Sequence, residues 1–371
     1  MDLGGRSARE QITGVLRPWL GLALVLAAFT IHPDFRNTFW TADYLPNILQ
    51  QAATNIILAV GLTFVILTGG IDLSVGSVLA LCGVVIGLTV NGSVPWYLAL
   101  IAASVPATIV GLWVNARFAI LRAALAGTAV FVIASAAIGY VTVGGIRLEG
   151  ALVIALLLGA GCGVLNGVLV TVGKVPGFIA TLGMLTAARG LTLFATQGES
   201  VPVPLRMGML GEGWPVVGIA LAVVVLGALF LNRTAPGRYI RAIGGNEEST
   251  RLSGVDITAF KTLAYALSGF TAAIAAIVLT SKFLVADTNA GAGAELNAIA
   301  AVVIGGTSLS GGRGSVIGSL VGALTIAVLN TGLVIVRVPD TLQGVIIGAV
   351  IVLTVMIDQY RGQGQALRLA R

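Results

Sequence analysis

The stretch AATNIILAVGLTFVILTGGIDLSVGSVLALCGVVIGLTV (52–90) decides the fold. Two long apolar runs flank a short polar segment, TGGIDLS, which holds one acidic residue, Asp72. A bilayer core requires about 20 mostly apolar residues per helix, and adjacent glycines favour the end of a helix. The pattern therefore predicts two membrane-spanning helices, 46–68 and 74–91, with a break between them.

The composition extends this interpretation to the whole chain. Its 371 residues are 57% hydrophobic and only 10% charged, and the mean hydropathy is +1.01. Soluble domains carry roughly 25% charged residues, so this chain lacks the charged surface that a soluble domain needs. The net charge of +6 is then better explained by membrane topology than by nucleic-acid binding. We predict an all-α polytopic membrane protein with one transmembrane domain, 1–371.

Apolar runs between polar or Gly/Pro breaks predict about 12 transmembrane helices. They are 16–32, 46–68, 74–91, 96–116, 123–143, 150–172, 177–196, 214–231, 262–280, 296–308, 315–333 and 341–357. The tenth is short and is a candidate re-entrant helix. Placing the N-terminus inside and alternating sides puts most of the 21 Lys and Arg residues on the cytoplasmic side, as the positive-inside rule requires. Both termini are therefore predicted to be cytoplasmic.

Small residues recur at four-residue spacing within the apolar runs. Such spacing lets helix backbones approach closely in a membrane, so it predicts a tightly packed bundle. The spacings are Gly83/Gly87, Gly159/Gly163/Gly167, Gly314/Gly318/Gly322 and Gly344/Gly348.

One long polar segment, 232–261, falls on the predicted cytoplasmic side. Within it Asn246 is suited to cap a short helix that has Glu247 and Glu248 in its first turn. Gly254 suits a left-handed residue beyond the end of that helix. The segment is interpreted either as an amphipathic loop on lipid headgroups or, preferably, as a helix that docks a partner.

Asp72 is the most unusual acidic residue, because a charge within a membrane span is costly. If Gly69 and Gly70 break the helix, Ser74 can cap the next one and the free backbone can line a polar cavity. The alternative is a short turn that leaves Asp72 in water. GGIDLSVGS (69–77) is echoed by GGTSLSGGRGS (305–315), and paired helix breaks are typical of transport pathways.

Three other polar side chains lie in or near predicted spans. Arg189 lies well inside the span 177–196 and requires either a partner, a water-filled path, or snorkelling to the interface. Glu295 and Asn297 begin the tenth helix, where an acidic residue also has a plain electrostatic explanation.

Several chemical motifs are absent from the sequence. There is no G-x-x-x-x-G-K-[ST] phosphate-binding loop, and the LSGG at 309–312 lies between two apolar helices. We find no metal-binding Cys/His cluster, no cofactor motif and no nucleophile elbow, so the chain is not predicted to be an enzyme. One alternative from the residues alone is a secondary carrier in which Asp72 or Glu295 relays a proton.

Four segments, taken together, resemble the permease subunit of bacterial ABC importers for monosaccharides of the ribose/xylose type. They are GGIDLSVGS (69–77), KVPGFIATLGMLTAARGLTLFATQG (174–198), GRYIRAIGGNEESTRLSGV (237–255) and ELNAIAAVVIGGTSLSGGRGS (295–315). The likeness covers roughly 44–91 and 150–357.

The resemblance implies a type II ABC importer permease fold with a ten-helix core. It implies an inner-membrane subunit of an ATP-driven importer for a pentose or related monosaccharide. The implied partners are a cytosolic ABC ATPase, a periplasmic sugar-binding protein and a second permease chain, within the lipid bilayer and without nucleic acid. Related permeases carry nucleosides or branched-chain amino acids, so these cargoes stay open.

Matched by position, the resemblance also assigns residues to roles. Coupling to the ATPase falls on Asn246, Glu247, Glu248, Arg251, Leu252 and Gly254. The translocation pathway falls on Asp72, Ser74, Phe178, Thr181, Arg189, Glu295 and Asn297.

The chain departs from the family pattern in three places. Ser249 and Thr250 stand where the family often has two alanines, which questions how the coupling helix packs. Asn297 stands where an Asp is frequent, which questions any role that needs a charge there. The stretch 95–145 is predicted to be a two-helix insertion.

Overall fold

The computed structural model describes residues 8–41, 44–92, 148–339 and 341–350, with positions 352, 353 and 356, and it describes side chains from Pro18 onward. The predicted helices 96–116 and 123–143, and with them the predicted insertion 95–145, lie outside the described residues.

The described residues form an almost entirely helical bundle, which confirms an all-α polytopic membrane protein. Its helices are α1 (Ala8–Thr30), α2 (Pro33–Phe39), α3 (Tyr44–Leu67), α4 (Val75–Val90), α5 (Leu148–Thr171), α6 (Gly177–Thr196), α7 (Trp214–Arg233), α8 (Ala235–Gly245), α9 (Glu247–Leu252), α10 (Ile257–Phe283), α11 (Ala294–Ile304), α12 (Val316–Ile335) and α13 (Thr341–Val350). A 3₁₀ turn spans Leu205–Leu210, and two short strands, β1 (Val201–Pro202) and β2 (Val285–Ala286), pair antiparallel.

Six of the described helices are long and apolar enough to cross a membrane, namely α3, α5, α6, α7, α10 and α12. Helices α1 and α2 meet at 117° and together make a seventh candidate, while α4, α11 and α13 are apolar but shorter. Since two predicted spans lie outside the described residues, the total of about 12 stays a prediction.

Helix α3 forms the centre of the bundle. It is buried continuously from Ile56 to Leu67, as expected for a helix that is apolar on all sides. Helices α7, α10, α11 and α12 pack around it. The hydroxyls of Thr63 and Ser319 lie 2.7 Å apart and join α3 to α12 within this core.

The predicted close packing at Gly159, Gly163 and Gly167 is confirmed, since all three lie on the face of α5 that contacts α10. A Cβ atom on Gly159 would overlap the carbonyl oxygen of Gly269, and one on Gly167 would lie 2.6 Å from the Cα of Thr262. The two backbones therefore touch from Gly159 to Gly167 of α5. In the same way, Gly318 and Gly322 of α12 contact α11, whereas a Cβ on Gly344 or Gly348 would have no described neighbour within 4 Å.

The predicted break after α3 is also confirmed. Helix α3 ends at Leu67, Gly69 has a left-handed φ of +77°, and α4 begins only at Val75. The echo segment 305–315 similarly separates α11 from α12, and the Ser315 hydroxyl caps α12 by accepting the N–H of Gly318 at 2.9 Å.

The chain re-enters the bundle after β2. Ala286 lies 4.0 Å from a Cβ built on Gly83 of α4, and Gly291 lies against Gly76 in the first turn of the same helix. Helix α11 therefore begins inside the bundle and has only 11 residues. This explains why the sequence predicted an unusually short tenth helix, 296–308.

Candidate functional site

Asp72 lies at the centre of a buried polar cluster. The residue is only 1% exposed. One carboxylate oxygen accepts the backbone N–H of Ser74 at 2.9 Å and the Ser74 hydroxyl at 2.6 Å. The other accepts the hydroxyl of Ser268 on α10 at 2.8 Å. The alternative of a water-exposed turn is therefore wrong, and Asp72 instead ties the break after α3 to α10.

Ser74 occupies the N-cap position of α4, but its side chain makes no cap hydrogen bond, so the predicted capping role is wrong. Its hydroxyl donates to Asp72 and accepts from the side-chain amide of Asn166 on α5 at 2.9 Å. A hydroxyl has one proton to donate, and in Ser74 it goes to Asp72. The hydrogen bonds with Asp72 and Asn166 therefore orient the Ser74 side chain.

The N-terminal end of α6 packs on the same cluster. Thr181 is fully buried, and its hydroxyl donates to the carbonyl of Gly177 at 2.8 Å while lying 3.4 Å from the carbonyl of Ile71. The structure thus brings Asp72, Ser74 and Thr181 together. Phe178 is not part of this cluster and is 52% exposed on the surface of α6.

Arg189 has protein partners on the loop before α11. Its guanidinium donates to the carbonyls of Thr288 at 2.6 Å and Ala290 at 3.2 Å. The negative charges of Glu295 and Asp287 also act on it. The structure therefore agrees with the interpretation in which Arg189 has a protein partner. The arginine holds the loop that leads into α11, in whose first turn Glu295 lies.

A cavity of about 170 Å³ lies between α3, α11 and α12. The described residues that line it are Gln51, Ala52, Thr54, Asn55, Leu58, Ala294, Asn297, Ile326, Ala327 and Asn330. None of them carries a charge, and five have an amide or hydroxyl side chain. Sequence reasoning named only Asn297. The missed signal was the presence of asparagines inside apolar helices, Asn55 in α3 and Asn330 in α12.

The capped helix predicted in the polar segment is confirmed as α9. The Asn246 side chain accepts the backbone N–H of Ser249 at 2.9 Å, and Gly254 has a φ of +81°. Thr250 is buried, and its hydroxyl donates to the Asn246 carbonyl at 2.7 Å. Ser249 and Thr250 are thus accommodated where the family often has two alanines.

Charged side chains hold α9 against the start of α10. Lys261 on α10 lies 2.6 Å from one carboxylate oxygen of Glu247, and Arg251 bridges Glu247 and Glu248 at 3.2 and 3.3 Å. The hydrogen bond from Lys261 and the charge of Arg251 hold the pKa of Glu247 below its ordinary range. The outward face of α9 presents Leu252, which is 81% exposed.

We expect this ion pair to make stability depend on pH in the acid range. The pKa of Glu247 lies below its ordinary value of 4.5, so its stabilisation is complete above that value and is lost as the pH falls through the folded-state pKa. Because the pair is partly exposed, the effect should be about 0.5–1 kcal/mol. Melting temperatures of the wild type and Glu247→Gln should differ at neutral pH and converge as the pH falls through the lowered pKa of Glu247. A difference that stays constant with pH would contradict this.

Four glycines bring α8 against both helix breaks, and we call Gly69, Gly244, Gly311 and Gly312 the glycine junction. A Cβ on Gly244, near the end of α8, would overlap the Leu67 carbonyl oxygen and lie 2.5 Å from the Gly312 nitrogen. A Cβ on Gly311 would lie 2.8 Å from the Gly69 nitrogen. The Gly312 N–H donates to the Leu67 carbonyl at 2.9 Å. At these glycines the α8–α9 segment therefore contacts the end of α3 and the α11–α12 loop through close approach of the backbones.

Comparisons with known proteins agree with this architecture. The ribose import permease protein RbsC of Escherichia coli (strain K12) is 39% identical over 348 residues, which is 91% of each chain. RbsC of Bacillus subtilis (strain 168) is 36% identical over 359 residues, covering 93% of this chain and 92% of the relative. The xylose transport system permease protein XylH of Haemophilus influenzae (strain ATCC 51907 / DSM 11121 / KW20 / Rd) is 31% identical over 406 residues, covering 91% and 94%.

These relatives confirm the resemblance drawn from the four segments. No solved structure matches the chain. The family described as "Branched-chain amino acid transport system / permease component" matches residues 44–130 and 118–355, which together span most of the sequence. With its six long apolar helices, the chain is a multi-pass membrane protein that belongs to this family of transport-system permease components.

Proposed function

We propose that the chain is the membrane-spanning permease subunit of an ATP-driven, binding-protein-dependent importer for a pentose or related monosaccharide. Relatives named for ribose and xylose, alignable over nine-tenths of the chain, support this cargo class. The sequence has no phosphate-binding loop, so ATP would be hydrolysed by a cytosolic partner.

The observation that carries the proposal is the glycine junction. An ATPase that docks on α9, at exposed Leu252 and Arg251, pushes on a segment whose other end touches Leu67 and Gly312 by backbone contact. Since backbone contacts cannot yield by rotating a side chain, displacement of α8–α9 reaches both helix breaks directly. The coupling role predicted for Asn246, Glu247, Glu248 and Gly254 follows from their part in shaping and fixing α9.

Five of the seven pathway residues fall into two groups under this proposal. Asp72, Ser74 and Thr181 hold the break between α3 and α4, while Arg189 and Glu295 position the re-entrant start of α11. Asn297 faces the cavity. Phe178, exposed on α6, is left for contact with lipid or with another chain.

The remaining parts of the assembly are proposed on the same basis. Two copies of the permease in the bacterial inner membrane would enclose the path, with a periplasmic sugar-binding protein on the outer side. Both termini and the 232–261 segment would face the cytoplasm, in keeping with the Lys/Arg asymmetry.

The structure disfavours a proton-coupled carrier that uses Asp72. Such a carrier needs an acid that meets water on each side in turn, whereas Asp72 is 1% exposed and accepts three hydrogen bonds. The described residues that line the cavity have amide and hydroxyl groups but no charge, which favours a neutral cargo over an amino acid, whose ammonium and carboxylate groups are better matched by charged partners. Nucleosides, which are neutral at physiological pH, stay open as an alternative cargo.

The proposal is tested by uptake of labelled ribose, xylose, rhamnose, a nucleoside and leucine in host cells with and without the gene. We expect uptake of one sugar to be lost with the gene, to be restored by complementation, and to fail after arsenate depletes ATP. Uptake that survives arsenate but stops when the proton gradient is collapsed would overturn the proposal. Uptake of leucine or the nucleoside instead would reassign the cargo.

A further inference from the structure

Two asparagine oxygens beside the cavity between α3, α11 and α12 have no hydrogen-bond partner within the part of the chain that the structure describes. The Oδ1 atoms of Asn55 and Asn330 are buried and unpaired among the described residues. An unpaired buried polar group costs about 1–3 kcal/mol, and in native proteins such groups call for an explanation. Both side chains belong to the wall of the same cavity, so a solute there is the natural partner for their amides.

The position of the cavity suits a solute in transit. Asn55 lies at the middle of α3, which spans 24 residues, and Ala294 and Asn297 come from the first turn of the short helix α11. Gln51, one turn from Asn55, is exposed, and its side-chain oxygen accepts the hydroxyl of Thr331 on α12 at 3.1 Å. The cavity therefore reaches from mid-bundle to the surface.

The chemistry of the wall selects the class of solute. An amide both donates and accepts hydrogen bonds, as a sugar hydroxyl does, whereas none of the described lining residues provides a charge. Leu58, Ile326 and Ala327 supply an apolar floor against which the C–H face of a ring can pack. A volume of about 170 Å³ has room for several waters or for a large part of a monosaccharide.

We propose that this cavity is a subsite of the translocation pathway for a neutral polyol, in which the amides of Asn55, Asn297 and Asn330 exchange hydrogen bonds with its hydroxyl groups. The proposal rests on the proposed function of the chain as a permease. It adds the residues that meet the cargo and excludes zwitterionic cargo. Uncharged amides bind weakly enough to let the solute leave, since a neutral hydrogen bond contributes only about 1 kcal/mol net.

The test is cysteine protection in membrane vesicles that hold the complete importer. Asn55→Cys and Asn330→Cys are labelled with a small thiol reagent in the presence of ribose, xylose or leucine at high concentration. The native Cys82 and Cys162 are buried and give a low background. The matched control is Asn289→Cys, at an exposed position outside the cavity.

We expect the transported sugar to slow labelling at both cavity positions severalfold, leucine to have no effect, and Asn289→Cys to be labelled equally in every case. Asn330→Ala should lower sugar uptake at subsaturating sugar concentration about fivefold, the effect of one lost hydrogen bond, with ATPase activity unchanged. Equal labelling with and without sugar, or protection by leucine, would overturn the subsite. If wild-type vesicles take up no sugar at all, the proposed function fails first, and that result is distinct from a subsite that sugar does not protect.

Discussion

Replacement of Asp72 by alanine is expected to lower the stability of the folded protein by about 3 kcal/mol or more, because it strands three buried donors. These are the backbone N–H and hydroxyl of Ser74 and the hydroxyl of Ser268. The carboxylate also lies just before α4, where the helix dipole favours a negative charge. Its loss therefore frees the break after α3 from both α4 and α10. The measurement is the melting temperature and yield of detergent-purified protein.

A graded pair of variants separates the hydrogen bonds from mere burial. Asp72→Asn keeps one oxygen for both Ser74 donors and offers an amide to the Ser268 hydroxyl, so it should cost about half as much as Asp72→Ala. Asp34→Ala, at an exposed position on α2, should be nearly neutral. The interpretation fails if Asp72→Ala melts at the wild-type temperature, or if Asp72→Asn is no milder than Asp72→Ala.

Local rules predicted those features of the chain that local interactions determine. The cap at Asn246, the left-handed Gly254 and the break at Gly69 each depend on residues within a few positions, and all three are present in the structure. The glycine spacing in α5 likewise predicted close packing, because a helix face without side chains lets another backbone approach closely.

The errors and omissions arose where distant residues decide the outcome. Ser74 has the sequence of a helix cap, but its hydroxyl donates to Asp72 and accepts from Asn166, which lies 92 residues away. Likewise Asn55 and Asn330 come from separate helices, and only packing of α3 against α12 brings them to one cavity. A single asparagine in an apolar run gives no indication of its partner. The sequence therefore predicts the region of the pathway but not the residues that line this cavity.

The two helix breaks both contact a third segment, α8, which is distant from each of them in the sequence. GGIDLSVGS (69–77) and GGTSLSGGRGS (305–315) were recognised as echoes, and GRYIRAIGGN opens the segment assigned to coupling. The sequence does not predict that these three segments meet at the glycine junction, because glycine has no side chain whose pattern indicates a partner. Close approach of backbones in space is what these glycines share.

Replacement of Gly244 by alanine is therefore expected to abolish transport, with at least a tenfold loss of sugar uptake. The added Cβ would overlap the Leu67 carbonyl oxygen and crowd the Gly312 nitrogen. Both are backbone atoms, one at the end of α3 and the other in the α11–α12 loop, so α8 must move away from both. Overpacking of this kind typically costs about 1–3 kcal/mol, which the bundle can survive. We expect folded permease whose partner ATPase still turns over but no longer drives uptake.

The neighbouring residue provides the matched control for this prediction. A Cβ on Gly245 meets nothing within 4 Å, and alanine is the better helix former, so Gly245→Ala should transport at the wild-type rate. Uptake and ATPase activity of the reconstituted importer are measured for both variants at equal amounts of folded protein. If Gly244→Ala transports as well as Gly245→Ala, the backbone contact at the junction does not carry the coupling. If Gly244→Ala instead loses ATP hydrolysis and uptake in equal proportion, the junction serves docking of the ATPase rather than transmission. Loss of uptake alone, with hydrolysis retained, places the transmission of movement between Gly244 and the two helix breaks.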